Sequence, residues 1–193
     1  RSKNSMQEKK IDPELSELAY LLYNCVVPRL EALDIDQEIK DCAIQVSGQL
    51  VAYLGDHLSD SDIEKVLRIM KQRLDNEVTR ISSLRSITFI SQSPLQIDLT
   101  SVLADMLTDM TSFLRQQSRL LKQTCLRTLN AVLLSSRSSC ILSVALMHPI
   151  LSELASLVDE SDLNLARDAL NVAVVVFDQF PESLESINRI VYP

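Results

Sequence analysis

The sequence predicts an all-α fold of stacked helix pairs, and three observations lead to it. Apolar residues recur at three- and four-residue intervals over most of the chain, which lays a stripe along one face of a helix. A pattern of residue types returns every 40 to 44 positions. Glycine is nearly absent: Gly48 and Gly55 are the only two in 193 residues, which leaves few places for the φ > 0 turns of hairpins and phosphate-cradling loops.

Residues 1–10 are polar and aperiodic and read as a flexible linker. A first helix is expected to start at Pro13, a residue suited to a first helical turn, and to carry Leu15, Leu18, Leu22, Val26, Leu30 and Leu33 on one face. Ile63, Val66, Met70 and Leu74 form a second stripe, and Leu99, Leu103, Met106, Met110 and Leu114 a third. A fourth runs through Ile141, Val144, Leu151, Leu154 and Val158, and a fifth begins at Leu184, Ile187 and Val191.

Between the stripes lie four further helical segments. The strings CAIQVSGQL from Cys42, SSLRSITFI from Ser82, TCLRTLNAV from Thr124 and DALNVAVVV from Asp168 superimpose without gaps at offsets of 40, 42 and 44. Each places a small residue (Ala43, Ser83, Cys125, Ala169) before a branched aliphatic one (Ile44, Leu84, Leu126, Leu170). Small residues let helices approach, and the large ones fill the space between repeats. Six positions before each string stand Asp36, Asn76, Ser118 and Asp162, side chains able to accept from the free N–H groups of a helix start. Gly55 is expected to take a left-handed stop after Leu54, while Pro94 and Pro181 forbid continuation.

Two helices in a period of 40 to 44 residues is the signature of HEAT and armadillo repeats, and Pro28 and Pro149 late in first helices favour the HEAT type. The expected fold is a HEAT-repeat α-solenoid, a right-handed superhelix of antiparallel helix pairs over residues 11–193. Its repeats are expected at about 11–58, 59–97, 98–137 and 138–180, with the first helix of a fifth from 181.

Composition limits the chemistry. A net charge of −7 without a basic cluster argues against nucleic acid. The longest apolar run, Val172 to Phe177, is far short of the ~18 residues of a membrane span. Cys25, Cys42, Cys125 and Cys140 lack CxxC spacing and read as small core residues in a reducing setting. Asp60 and Asp62 match the first spacings of a calcium loop, but Lys65 and Lys71 stand where Gly and Glu are needed, so helix capping explains them, as it does Asp159, Glu160 and Asp162. His57 and His148 have no nucleophile at a recognisable spacing, and no phosphate-loop, dinucleotide or HExxH string occurs. The reading is a non-enzymatic scaffold without cofactor, metal or small-molecule substrate.

Two polar columns keep the repeat's register. Lys40, Arg80 and Lys122 are expected to form a stiffening ladder with acidic groups of adjacent repeats. Gln45, Arg85, Arg127 and Asn171 follow the large aliphatic position and should face outward on the second helices, which line the concave side of solenoids; they are the candidate partner contacts.

The strings DQEIKDCAIQVSGQLVAYLGDHL, NEVTRISSLRSITFISQSPLQIDL, SFLRQQSRLLKQTCLRTLNAVL, LVDESDLNLARDAL and DQFPESLESI resemble the middle of the cullin-associated and neddylation-dissociated protein family, turns such as SQSPLQIDL included. The resemblance runs from about Asp36 to Ile190. It implies a long HEAT superhelix that wraps an unneddylated cullin bound to its RING-box subunit, competes with the substrate-receptor adaptor and so lets receptors exchange, in the assembly of SCF-type ubiquitin ligases. This segment would supply curvature and part of the central cullin contact, acting in the cytoplasm and nucleus. The alternatives are a HEAT segment of a nuclear transport receptor or of a phosphatase scaffold.

Overall fold

The computed structural model describes residues 12–32, 36–135, 144–158 and 161–179. Among these are eight α-helices, one short 3-10 turn and no strand. They run in pairs: α1 Pro13–Glu31 with α2 Gln37–Leu54, α3 Asp60–Leu74 with α4 Glu77–Ser91, α5 Thr100–Leu114 with α6 Arg119–Ser135, and α7 Val144–Val158 with α8 Leu163–Gln179. The four pairs lie within the residue ranges expected for the first four repeats. The linker 1–10 and the half-repeat from 181, with Pro181, Leu184, Ile187 and Val191, fall outside the described residues, as do Leu33, Ile141, Cys140, Asp159 and Glu160.

First helices pack on first helices (α1, α3, α5, α7), and second on second (α2, α4, α6, α8), so the chain is a two-layered solenoid with translational order. Each pair buries too little alone, and one continuous apolar core runs through all four pairs from Ala19 to Val176. Among the described residues no helix is long and apolar enough to cross a membrane.

Local chemistry starts the helices where the sequence places them. Asp36 Oδ1 accepts from the Glu38 N–H at 2.8 Å, Asn76 Oδ1 from Val78 at 3.0 Å, Ser118 Oγ from Leu121 at 3.3 Å, and Asp162 Oδ1 from Asn164 and Leu165 at 3.0 and 3.2 Å. Ser59 caps α3 by accepting from the Asp62 N–H, and its hydroxyl donates back to the Asp62 carboxylate at 2.6 Å. In α1 the cap is Asp12, followed by Pro13 in the first turn.

Three expectations are corrected. Gly55 is right-handed, with φ −58°, and opens the 3-10 turn Gly55–His57, buried against the side-chain ends of Ile97, Ile63 and Leu95. The left-handed residue is instead Gln96, φ 52°, in the turn after Pro94. On α1 the buried residues are Ala19, Tyr23, Val27 and Leu30; of the expected stripe Leu30 is buried, Leu22 and Val26 are half-buried against the core, and Leu15 and Leu18 are exposed because no described helix covers that side. Val158 at the end of α7 is exposed as well.

The repeat's small position is buried in every unit, at Ala43, Ser83, Cys125 and Ala169. The large position after it is buried at Ile44, Leu84 and Leu126, but Leu170 is 52% exposed. Ile44 and Leu84 lie against the next second helix, where the Ser86 hydroxyl reaches the Ile44 carbonyl and the Thr128 hydroxyl the Leu84 carbonyl. No described helix follows α8, so the same side chain there has no wall to fill.

Candidate protein-binding face

The layer of second helices is held together by small and hydroxylated residues. Ser47, Gly48, Ser82, Ser83, Ser86, Thr124, Thr128 and Ala169 are all buried there. Short side chains bring helix axes together, whereas the first-helix layer interposes Met70, Met106, Met110 and Phe113. The second-helix layer also presents a solvent face, turned away from the first helices.

Gln45, Arg85, Arg127 and Asn171 are all exposed on that face, one per second helix. Arg85 and Arg127 differ from every other described arginine. Arg68 pairs with Glu64, Arg115 with Glu153, Arg119 with Asp162 and Arg167 with Asp168. Arg29, Arg73 and Arg80 donate to backbone carbonyls. Arg85 and Arg127 alone make no hydrogen bond or ion pair with the described residues. In a chain with 26 acidic and 19 basic side chains, leaving these two without a carboxylate is a local exception to the overall charge.

Large apolar side chains accompany them, and the column reasoning missed these. Val78, Phe89, Leu120 and Leu134 are exposed on α4 and α6, and Tyr53 on α2 is 64% exposed. The sequence signal was available: α4 and α6 hold more apolar residues than one core-facing stripe can accommodate. Arginine beside exposed aromatic and aliphatic groups is the composition of protein-binding centres.

Lys40, Arg80 and Lys122 lie deeper. Lys40 and Lys122 are half-buried and Arg80 is 8% exposed. The expectation of acidic partners is corrected at Arg80, whose fork serves carbonyls. Its Nε donates to the Leu74 carbonyl at 2.8 Å and Nη2 to the Asp75 carbonyl at 3.3 Å, satisfying the end of α3. Its Nη1 reaches Gln116 Oε1 in the next repeat at 3.2 Å, and the guanidinium lies 4.4 Å from the Phe113 ring centroid. The free carbonyls at the C-terminal end of α3 carry partial negative charge and accept from the guanidinium, which explains the substitution of role. Other bases bridge consecutive repeats: Lys65 to Glu31, Lys71 to Asp109, Arg115 to Glu153 and Arg119 to Asp162.

The acidic side chains of the turns and the two histidines hold varied positions. Asp62 accepts from the Tyr20 hydroxyl at 3.2 Å as well as from Ser59, which holds its carboxyl below the usual range. Asp60 lines a cleft of about 620 Å³ with Asp56, Glu64 and Asp98. No group of three metal-ligating side chains occurs among the described residues. His57 Nδ1 lies 3.0 Å from the Ser16 hydroxyl, which also lies 3.1 Å from the Asp12 carbonyl, and His57 Nε2 lies 3.8 Å from Asp56 Oδ1, so the ring ties the start of α1 to the turn after α2. His148 is exposed.

Among the described cysteines only Cys125 is a core residue, with burial pushing its thiol pKa up, and Cys140 lies outside the described residues. Cys25 and Cys42 are exposed, a correction: each stands beside a buried stripe, about 100° round the helix from it, where three- and four-residue spacing cannot decide the side.

No family model matches the chain. Several curated proteins do. It is 35% identical over 168 residues to "Cullin-associated NEDD8-dissociated protein 1" of Drosophila melanogaster, covering 87% of this chain and 13% of that protein. It is 36% identical over 151 residues to the protein of the same name in Arabidopsis thaliana, covering 78% and 12%. Identity to "Cullin-associated NEDD8-dissociated protein 2" of Mus musculus is 36% over 180 residues, covering 92% and 14%. The chain thus spans about one seventh or less of the length of these relatives.

Proposed function

Because this chain belongs to the cullin-associated NEDD8-dissociated protein family, we propose that it is a central segment of a cullin-binding regulator that recognises unneddylated cullin with its RING-box subunit and promotes substrate-receptor exchange. The observation that carries the reading is the match along most of the chain to relatives named for cullin association, joined to a solenoid whose second-helix layer exposes several large apolar side chains and two arginines without partners among the described residues. The segment acts by shape and distributed contacts, without catalysis: a rod of stacked pairs can follow the surface of an elongated partner while each repeat contributes a small part of the affinity. Nucleic acid, membrane and small-molecule substrates have no part in it.

Cytoplasm and nucleus are the proposed compartments; the unbridged thiols of Cys25, Cys42 and Cys125 support a reducing setting. The test is co-purification of the intact protein with a cullin–RING-box complex, in unmodified and NEDD8-conjugated forms, followed by the rate of adaptor exchange. Retention of the unmodified complex, loss on conjugation and faster exchange are expected. Failure to retain the unmodified complex overturns the proposal.

A further inference from the structure

We propose that Arg85 and Arg127 form a two-pronged receptor for an acidic amphipathic helix of the partner, one with two carboxylates seven residues apart and apolar side chains on both flanks. This rests on the cullin-binding reading above and specifies the chemistry of its contact.

The geometry sets the spacing. Arg85 and Arg127 occupy the same repeat position on adjacent second helices, and neighbouring residues bring those helices into contact: Thr128 Oγ1 lies 2.9 Å from Thr88 Oγ1 and 3.1 Å from the Leu84 carbonyl. Packed helix axes stand about 8–10 Å apart. Two turns of a helix, from i to i+7, advance about 10.5 Å, so a helix laid across α4 and α6 can offer one carboxylate to each guanidinium.

The flanks set the rest of the pattern. Val78 and Leu120 lie two turns before the two arginines, and Phe89 and Leu134 lie one and two turns after them on α4 and α6 respectively. A crossing helix about 10 Å wide therefore has exposed apolar groups along both sides and a cation pair beneath its middle. An acidic helix with apolar shoulders fits; a basic one does not, because nothing on α4 or α6 at that level carries negative charge to receive it. Fork-shaped guanidinium groups without partners among the described residues can bind carboxylates two-handed.

The experiment has two arms, run on the intact protein with circular dichroism to establish that each variant is folded. In the first, unmodified cullin–RING-box complex is titrated at two salt concentrations against wild type, the double variant R85E/R127E, and R68E, whose arginine is paired on the first-helix layer. The double reversal is expected to weaken binding by at least about tenfold and to flatten the salt dependence, with R68E within about twofold of wild type. Binding by the double variant equal to wild type overturns this inference and leaves the cullin reading standing. In the second arm, a cross-linked helical peptide with Glu at i and i+7 and Leu at i+3 and i+4 is compared with its Lys counterpart. Preference for the Glu peptide, lost in the double variant, supports the inference even if wild type does not retain the cullin–RING-box complex; no preference overturns it.

Discussion

Gly48 on α2 lies so close to Ser86 on α4 that a Cβ built on the glycine would stand 2.7 Å from Ser86 Cβ. At the same contact the Ser86 hydroxyl donates to the Ile44 carbonyl at 3.0 Å, tying the second helix of one repeat to the backbone of the one before. The glycine therefore serves proximity and not a turn. In a helix interior, Gly→Ala ordinarily stabilises by roughly 0.5–1 kcal/mol. Gly48→Ala is expected to reverse that sign and destabilise by about 1 kcal/mol or more, as overpacking does. Urea unfolding compared with wild type checks it; a gain in stability would show that α2 and α4 are further apart than described.

Ser83 offers the opposite case. It is fully buried at the small-residue position, and its hydroxyl has no hydrogen-bond partner among the described residues. The equivalent positions hold Ala43 and Ala169. Ser83→Ala removes an unpaired buried hydroxyl without leaving a large void, and a stabilisation of about 1 kcal/mol is expected. Thermal and urea midpoints that fall below wild type would contradict the equivalence of these positions.

Arg80 is held by a fork of carbonyls and an aromatic face, which a lysine cannot reproduce. Arg80→Lys is expected to cost roughly 1–3 kcal/mol despite keeping the charge, because hydrogen bonds to a charged donor are lost at a buried helix end. Arg68→Lys, at an exposed pair with Glu64, is expected to cost under about 0.5 kcal/mol. Equal effects of the two variants in denaturant melts would refute the capping role of Arg80.

Asp162 links α6 to α8: it accepts from Arg119, and from the Leu165 and Asn164 N–H groups. The Arg119 contact, then these N–H groups, lower its pKa to about 2, against roughly 3.9 for a free aspartate. A depressed carboxylate adds stability that is fully present above the unfolded value and is lost as pH falls toward the folded one. Wild type should therefore lose its advantage over Asp162→Asn between about pH 5 and 2, read by helicity across an acid titration. A difference independent of pH would exclude the linkage.

Much of the architecture was legible in the chain. The spacing of Asp36, Asn76, Ser118 and Asp162, and of the small residues that follow each, is a local code: a cap needs only its own next turn, and a helix stripe only its own period. The outward column Gln45, Arg85, Arg127 and Asn171 was readable for the same reason, since each follows the buried small position by two residues. Cys25, Cys42, Leu15 and Leu18 were misplaced because helical period alone does not say which of two adjacent stripes meets a neighbour.

The sequence by itself determined that helices pair, where they start, and that the pairs recur. Only tertiary structure decided what Arg80 bonds to, why Gly48 must be small, and that no carboxylate among the described residues reaches Arg85 or Arg127. Those outcomes depend on which groups from residues about 40 positions away arrive within a few ångströms, and such distances are set by how the layers stack, not by the order of residues along one helix.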